Sequence, residues 1–304
     1  MAPPGRPATP PRTHRIHLMT PEPRPKLEHT YQQRQFGRSL RNLREHARID
    51  TTEAALRTKI DVDKLNRIER GQPPTHHELT TILDTYGLLY DDWQPYIHQL
   101  DHNRQRGWWR THGLPRTHFA GIEHDATTVR EYQLGLIPEP LQTEPYIRAI
   151  LAASRRPHHA HESAIRLRRQ QRLTDHNPRH YHAIIDEAAL TIPLPDNRIM
   201  RDQLRHILAM AALPNITIQI LPRSAGPHGG RKGSFQLLTF PAPETDVLLR
   251  IPHVGGEIYV DNQDDTATAR HLFDHLTALA LSPEASRRWI DEHLRAVSPR
   301  PAAW

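Results

Sequence analysis

The chain has 304 residues, long enough for about two domains that each bury a core. The absence of Cys excludes disulfides, thiol nucleophiles and Cys-based metal centres. The formal net charge is +6, and nearly all of the excess lies in residues 1–87, where 15 basic residues stand against 10 acidic ones. Such a positive field attracts polyanions such as nucleic acid, although a basic tail without a partner accounts for the count as well.

No apolar run approaches the roughly 18 residues of a membrane span. The first 20 residues also lack the apolar core of a signal peptide. We therefore expect a cytoplasmic protein without a membrane partner.

The N-terminal third is predicted to be a basic arm followed by an all-α domain. Residues 1–30 contain eight Pro and no apolar periodicity, which indicates a disordered arm. Residues 31–100 then have the periodicity of short helices. One helix is expected from Thr51 to Thr58, one begins after Asp61 as N-cap, and one follows the capping box of Thr75 and Glu78. An extension over Asp91–Leu100 completes this domain.

Residues 101–295 are predicted to form an α+β domain, with a short tail over residues 296–304. An irregular stretch, Arg104–Pro115, comes first. Helices are expected over Glu144–Ser154 and Glu162–Leu173, after an N-cap at Asp196, and twice at the end of the domain. Short β-rich runs cover Tyr181–Asp186, Ile216–Leu221, Phe235–Phe240, Val247–Ile251 and Glu257–Val260. Breaks at Pro and Gly favour hairpin connections and a mostly antiparallel sheet.

Residues 49–71, IDTTEAALRTKIDVDKLNRIERG, have the pattern of a helix-turn-helix. Ala55 is small enough for two helices to cross closely, and Ile49, Ile60, Leu65 and Ile68 supply a shared core. The second helix exposes Val62, Asp63, Lys64, Asn66 and Arg67. In this motif that face lies in the major groove and contacts base edges. Phosphate contacts are expected from Thr51, Thr52, Arg70 and Gln72.

Phe36–Gly87 resembles the Xre or phage-repressor type of helix-turn-helix domain, above all in the ending Asn66–Gly71, NRIERG. Further segments resemble actinobacterial Xre-type regulators with a toxin–antitoxin-like C-terminal domain. These segments are Trp108–Arg110, Leu141–Glu144, Leu167–Gln170, Ile185–Leu190, Pro214–Gln219 and Gly233–Phe235. The resemblance covers residues 34–295 and implies transcriptional regulation, often with a small partner protein. It also implies a buried ion pair between Arg44 and Glu69, and it brings no catalytic residue and no cofactor.

The helix-turn-helix departs from that family pattern in three ways. Lys59 stands at the turn where Gly is usual, so we expect a left-handed Lys. Ala54 and Thr58 replace Leu at positions that the family buries, which predicts a less tightly packed first helix. Asp61 and Asp63 place carboxylates at the leading end of the recognition helix, where phosphates are otherwise favoured.

Other motifs favour structural roles. The tract at residues 158–162, HHAHE, lacks metal-site spacing and is expected to be a solvated loop. The Gly-rich segment Gly226–Ser234 lacks the order of a phosphate loop and favours a hairpin or Ω-loop. Asp186 and Glu187 are adjacent and cannot form an acid–base pair on a strand, so one of them should cap a short helix. Trp108 and Trp109 are expected to be one core anchor and one interface contact.

These patterns favour a regulator that binds double-stranded DNA, without enzymatic activity, metal or organic cofactor. A homodimer is expected because one such helix contacts only half of a palindromic site. The alternative is an antitoxin-like protein-interaction module whose helix-turn-helix is degenerate. A small-molecule sensor in the C-terminal domain is compatible with the first function.

Overall fold

The computed structural model describes residues 29–104, 107–115, 118–154, 159–241 and 247–297. The predicted arm and the predicted tail lie almost entirely outside the described residues. Within them, the chain builds a helical N-terminal region followed by a region of helices around one sheet. No helix in these ranges is both long and apolar enough to span a membrane.

Five helices form the N-terminal region. They are α1 (Tyr31–His46), α2 (Thr51–Thr58), α3 (Val62–Glu69), α4 (His76–Thr85) and α5 (Gln94–Arg104). The predicted bounds of α2 and the predicted N-caps of α3 and α4 are confirmed. The expected extension is a 3₁₀ turn, Tyr90–Asp92, followed by α5, which ends four residues later than predicted.

The apolar faces of α1 to α5 enclose one core. It includes the predicted Ile49, Ile60, Leu65 and Ile68 and further buried residues of α1 and α4. Ala54 and Thr58 are also buried, and the Thr58 hydroxyl donates to the Ala54 carbonyl at 2.7 Å. The Thr58 hydroxyl, on the buried face of α2, therefore has a hydrogen-bond partner inside the core.

Eight helices and six strands make up the rest of the described chain. The helices are α6 (Trp108–Thr111), α7 (Phe119–Asp125), α8 (Glu144–Ala153), α9 (His159–Gln170), α10 (Glu187–Leu190), α11 (Asn197–Met210), α12 (Gln263–Leu279) and α13 (Pro283–Val297). The strands are β1 (Thr128–Gln133), β2 (His180–Asp186), β3 (Ile216–Leu221), β4 (Phe235–Thr239), β5 (Val247–His253) and β6 (Gly256–Val260). Sequence analysis missed β1 and α7, and it placed α6 in an irregular stretch.

The sheet is mixed, with the strand order β3-β2-β1-β4-β5-β6. β1 pairs in parallel with β2, and β2 in parallel with β3, whereas β4, β5 and β6 add antiparallel pairs. The antiparallel half agrees with the prediction. The expectation of mostly hairpin connections is wrong for the other half, because parallel neighbours need a crossover. Helices α8 and α9 supply the first crossover, and α10 and α11 supply the second.

Both faces of the sheet are covered, so the central strands are buried on alternate sides. In β2, Tyr181, Ala183 and Ile185 join the core that contains residues of α11 and α13, whereas Ile184 joins the core that contains residues of α12. This two-sided burial explains the apolar run Ala183–Ile185 in β2, because parallel strands are typically buried on both faces.

Candidate nucleic-acid interface

A tight turn joins α2 to α3 and fixes their crossing. The Asp50 side chain caps α2 by accepting from the Glu53 amide at 2.9 Å. Lys59 ends α2 at φ 55° and ψ 28°, which confirms the predicted left-handed Lys. The Ile60 amide donates to the Thr58 hydroxyl at 3.3 Å. Asp61 then caps α3 by accepting from the Lys64 amide at 3.1 Å.

A buried ion pair braces α3 against α1, as the resemblance implied. Arg44 Nε and Nη2 donate to the two carboxylate oxygens of Glu69 at 2.7 and 2.9 Å. The same guanidinium donates to the Ile49 carbonyl at 3.0 Å, where the chain enters α2. The hydrogen bonds to Glu69 raise the pKa of Arg44 and outweigh its burial. One side chain therefore fixes α1, the start of α2 and the end of α3.

Gly37 lets α1 approach α3, a requirement that sequence analysis missed. A Cβ at Gly37 would lie 2.6 Å from the Ile68 carbonyl oxygen and 2.7 Å from that of Glu69. Any side chain there would push α3 away from α1. Gly71 follows α3 at φ 118°, a backbone conformation that favours glycine.

The outer surface of α3 carries the predicted base-contacting residues. Val62, Asp63 and Arg67 are exposed, and Lys64 and Asn66 are partly exposed. Two of these residues already have partners within the chain. Lys64 Nζ forms an ion pair with Glu78 of α4, and Arg67 Nε donates to Gln72 Oε1 at 3.1 Å.

The predicted phosphate-contacting residues lie at the margins of this surface. Thr51 and Thr52 occupy the first turn of α2, and Arg70 and Gln72 follow α3. Thr52 and Arg70 are exposed, whereas Thr51 and Gln72 are partly exposed. The structure thus brings the nine predicted residues to one motif, while their individual roles in binding stay predictions.

The charge of this surface is mixed. The hydrogen bonds from Lys64 and Thr75 outweigh the burial of Glu78 and lower its pKa, so Lys64 faces a carboxylate. Asp61 and Asp63 are exposed at the start of α3. Leu56 of α2 is 80% exposed, which adds an apolar side chain to the first helix of the motif.

Contacts between the two regions orient the helix-turn-helix. The Tyr31 ring, at the start of α1, packs against Phe240 with centroids 5.1 Å apart. Gln35 and Arg38 donate to Asp261 Oδ2 at 3.3 and 2.9 Å. Beside these contacts lies a cleft of about 850 Å³, lined by residues of α1, α5, α7 and the segment before β2.

A further pair crosses between α5 and α7. His102 Nε2 lies 2.9 Å from Asp125 Oδ1. The hydrogen bond with Asp125 outweighs burial and raises the pKa of His102. This contact therefore favours the protonated imidazole.

The other motifs that the sequence analysis singled out are an acidic pair, a Gly-rich segment and a His-rich tract. Asp186 caps α10, as expected of one residue of the pair, by accepting from the Ala188 amide at 2.9 Å. The Gly-rich segment holds a 3₁₀ turn, Gly229–Lys232, and joins β3 to β4, which are not neighbours; a hairpin is therefore wrong. The predicted loop at residues 158–162 is wrong for residues 159–162, because α9 begins at His159; His158 and the side chain of His159 lie outside the described residues. Among those that are described, no three His, Asp or Glu side chains form a group able to hold a metal ion.

The two tryptophans of α6 are both partly exposed. Trp109 packs over α7, where a Cβ on Gly121 would lie 2.7 Å from its ring. Trp108 borders a cavity instead, and the Arg168 guanidinium lies 5.8 Å from its ring centroid.

Comparisons with known proteins agree with this division of the chain. Residues 35–92 match a family model described as a helix-turn-helix domain, which is a DNA-binding type of domain. Residues 116–292 match a family model described as a domain of unknown function, DUF5753. No curated protein and no solved structure matches the chain. Because the second model matches more than half of the 304 residues, the chain belongs to the DUF5753 family, with a helix-turn-helix domain before the family domain.

Proposed function

We propose that the protein is a transcriptional regulator of the Xre type that binds the major groove of double-stranded DNA through α3. One observation carries the proposal: α3 is braced from behind by the buried Arg44–Glu69 pair, while its opposite face is open. A recognition helix needs this combination, because base contacts require a fixed helix with a solvent-exposed face.

In this proposal the α3 side chains contact base edges, and the residues at its margins contact phosphates. Arg67 is the candidate for a bidentate contact with guanine, and Asn66 for a contact with adenine. Arg67 must break its hydrogen bond with Gln72, and Lys64 its ion pair with Glu78, before either side chain contacts DNA. Partly exposed pairs of this kind contribute at most about 1 kcal/mol, so DNA contacts can replace them.

The rest of the proposal concerns assembly and regulation. The protein acts as a cytoplasmic homodimer, because one α3 contacts a half-site. The DUF5753 domain has a regulatory and not a catalytic role, and it binds a small partner protein or an effector. The contacts of α1 with Asp261 and Phe240 support a regulatory domain in direct contact with the DNA-binding region.

The test is recovery of genomic DNA crosslinked to the full chain, followed by fluorescence anisotropy on the recovered sequences. A recurrent palindrome is expected. The logarithm of the binding constant should fall with the logarithm of salt concentration at a slope that reports several phosphate contacts. Arg148→Gln, which removes an exposed arginine of α8, is the matched control and should leave affinity unchanged. Absence of binding at low salt to every recovered fragment would refute the proposal.

The exposed Leu56 favours a second candidate, an antitoxin-like protein-interaction module with a degenerate helix-turn-helix. An apolar side chain gains nothing from a phosphate backbone but adds area to a protein interface. This candidate predicts that Leu56→Ser weakens binding to a protein partner and that no palindrome is recovered. Sequence-specific DNA binding by the full chain would contradict it.

A further inference from the structure

A small cavity lies where two segments singled out in the sequence meet. Trp108 of the Trp108–Arg110 segment and Arg168 and Arg169 of the Leu167–Gln170 segment all line it. The other charged groups around it are Glu123, Arg172, Asp175 and Arg179. The cavity measures about 60 Å³, which is room for about four waters.

Two arginines in the wall of this cavity are deeply buried. The side chains of Arg169 and Arg179 are 7% and 2% exposed. Both approach Glu123: Arg169 Nε lies 2.6 Å and Arg179 Nη1 3.5 Å from its carboxylate. Arg169 Nη1 also donates to Glu139 at 2.5 Å. Even so, the donors Arg169 Nη2 and Arg179 Nε have no hydrogen-bond partner among the described residues, and neither has the acceptor Glu123 Oε1.

The positive charge around the cavity exceeds the negative charge. Arg172 pairs with Asp175, Glu123 is shared by Arg169 and Arg179, and Glu139 is shared by Arg169 and Arg166. Arg168 contacts the Trp108 ring and forms no ion pair within the described ranges. Burial lowers the pKa of Arg179 despite Glu123, so its charge is incompletely compensated.

The cavity adjoins a larger space. That space measures about 470 Å³ and shares Trp108, His124 and Arg168 with the cavity. It is also lined by His102, Asn103 and Arg104 at the end of α5. A molecule with its charged end in the cavity would therefore place its remainder beside the DNA-binding region.

We propose that the cavity binds the oxyanion group of a small organic anion, a phosphate or a carboxylate, whose ring stacks on Trp108. Buried guanidinium donors are matched to oxyanions in charge and in hydrogen-bond geometry. Trp108 offers the ring next to the charged end a flat apolar face. Anion binding at this site does not depend on DNA binding. The role of the site as an effector site, which its place beside α5 suggests, rests on the proposed function.

The experiment titrates the full chain with inorganic phosphate, acetate, phenyl phosphate and benzoate at constant ionic strength set with sodium chloride. Tryptophan fluorescence and the melting temperature are followed. Saturable binding is expected, with either phenyl phosphate or benzoate binding more tightly than inorganic phosphate. The preferred headgroup identifies the anion as a phosphate or a carboxylate.

The substitutions are made at residues that are not buried, so that loss of binding is not caused by misfolding. Arg168→Gln should weaken binding by about tenfold, and Trp108→Leu should reduce the affinity for the preferred aromatic anion to that of its ring-free counterpart, inorganic phosphate or acetate. Arg148→Gln, on the exposed face of α8, is the control and should bind like the wild type. No saturable binding at millimolar concentrations, or equal binding by Arg168→Gln, would overturn the proposal. Anion binding without any DNA binding would instead contradict the proposed function and leave the site standing.

Discussion

Glu69→Gln tests whether the buried ion pair holds α3 in place. The Glu69 side chain is 1% exposed and accepts from Arg44 at 2.7 and 2.9 Å and from Arg41 at 3.3 Å. The substitution keeps the shape of the side chain but removes its charge. Arg44 then remains buried, with Glu45 at 3.9 Å as its nearest carboxylate.

The expected cost is about 3 kcal/mol of local unfolding free energy. Removing one partner of a buried pair costs roughly 3–5 kcal/mol, because the other charge is left uncompensated. Two effects favour the lower end. Gln still accepts one hydrogen bond, and loss of a negative charge at the C-terminus of α3 returns about 0.5 kcal/mol. Glu53→Gln, in the exposed pair with Arg57, is the control and should cost under about 1 kcal/mol.

The assay is hydrogen exchange of the full chain, followed by mass spectrometry over the peptides of α1 and α3. Protection in these helices reports the opening of the helix-turn-helix separately from the sheet. The double variant Arg44→Met/Glu69→Met should recover stability to within about 1 kcal/mol of the wild type, because no buried charge is left. A cost under about 1 kcal/mol for Glu69→Gln, or a double variant less stable than the single one, would refute this account of the pair.

Three further changes test the interface, the turn and the junction. Arg67→Ala should cost roughly 1–3 kcal/mol on the preferred DNA sequence and relax the preference at one base pair, whereas Arg70→Ala should weaken binding to all duplexes alike; anisotropy on specific and random duplexes checks both. Lys59→Gly should stabilise the N-terminal region by a few tenths to about 1 kcal/mol in urea unfolding, since it relieves a left-handed Lys but also frees the unfolded chain; a loss of stability would contradict this. The raised pKa of His102 means that its contact with Asp125 stabilises the fold fully below pH about 6.5 and less as the pH rises through the raised value. His102→Gln should abolish that part of the pH dependence of unfolding, which is under about 1 kcal/mol because the ring is half exposed.

The helix-turn-helix was predictable because its signals are local. The N-caps Asp61 and Thr75 precede their helices directly, and each side chain caps the amide three residues later. Lys59 could be assigned a left-handed conformation because it stands at the turn position where the family pattern has Gly. The ion pair between Arg44 and Glu69 was different: 25 residues separate its partners, and only the family resemblance connected them.

Strand β1 could not be predicted from periodicity because its sequence, TVREYQ, has charged residues at its centre. Glu131 is fully buried in the sheet, which no hydropathy pattern indicates. Its carboxylate is satisfied by the Tyr181 hydroxyl at 2.5 Å and the Gln133 amide at 2.7 Å. Burial raises the pKa of Glu131 despite these donors. Because β1 lies between the parallel and antiparallel halves, missing it also hid the topology.

The arginine-lined cavity was beyond sequence reasoning for a related reason. Its residues come from α6, α7, α9 and the segment before β2, and only the fold places them around one space. Read singly, Arg168 and Arg169 belong to a solvated basic helix. Arg168 is exposed, whereas the side chain of Arg169 is only 7% exposed, and this difference arises because α9 packs against α7.

Helix α1 packs in the cores of both halves of the molecule, and this couples the C-terminal domain directly to the proposed DNA-binding surface. Tyr31 at its start is part of the core of the sheet domain, and Arg44 near its end holds Glu69 of α3. The two positions are about 20 Å apart along one continuous helix. Because Gly37 brings α1 into backbone contact with the end of α3, the two helices cannot slide past each other without breaking the buried pair. A ligand or partner that displaces α1 from the sheet would therefore move α2 and α3 with it as one unit. In the proposed homodimer this would change the separation of the two α3 helices and leave each of them intact.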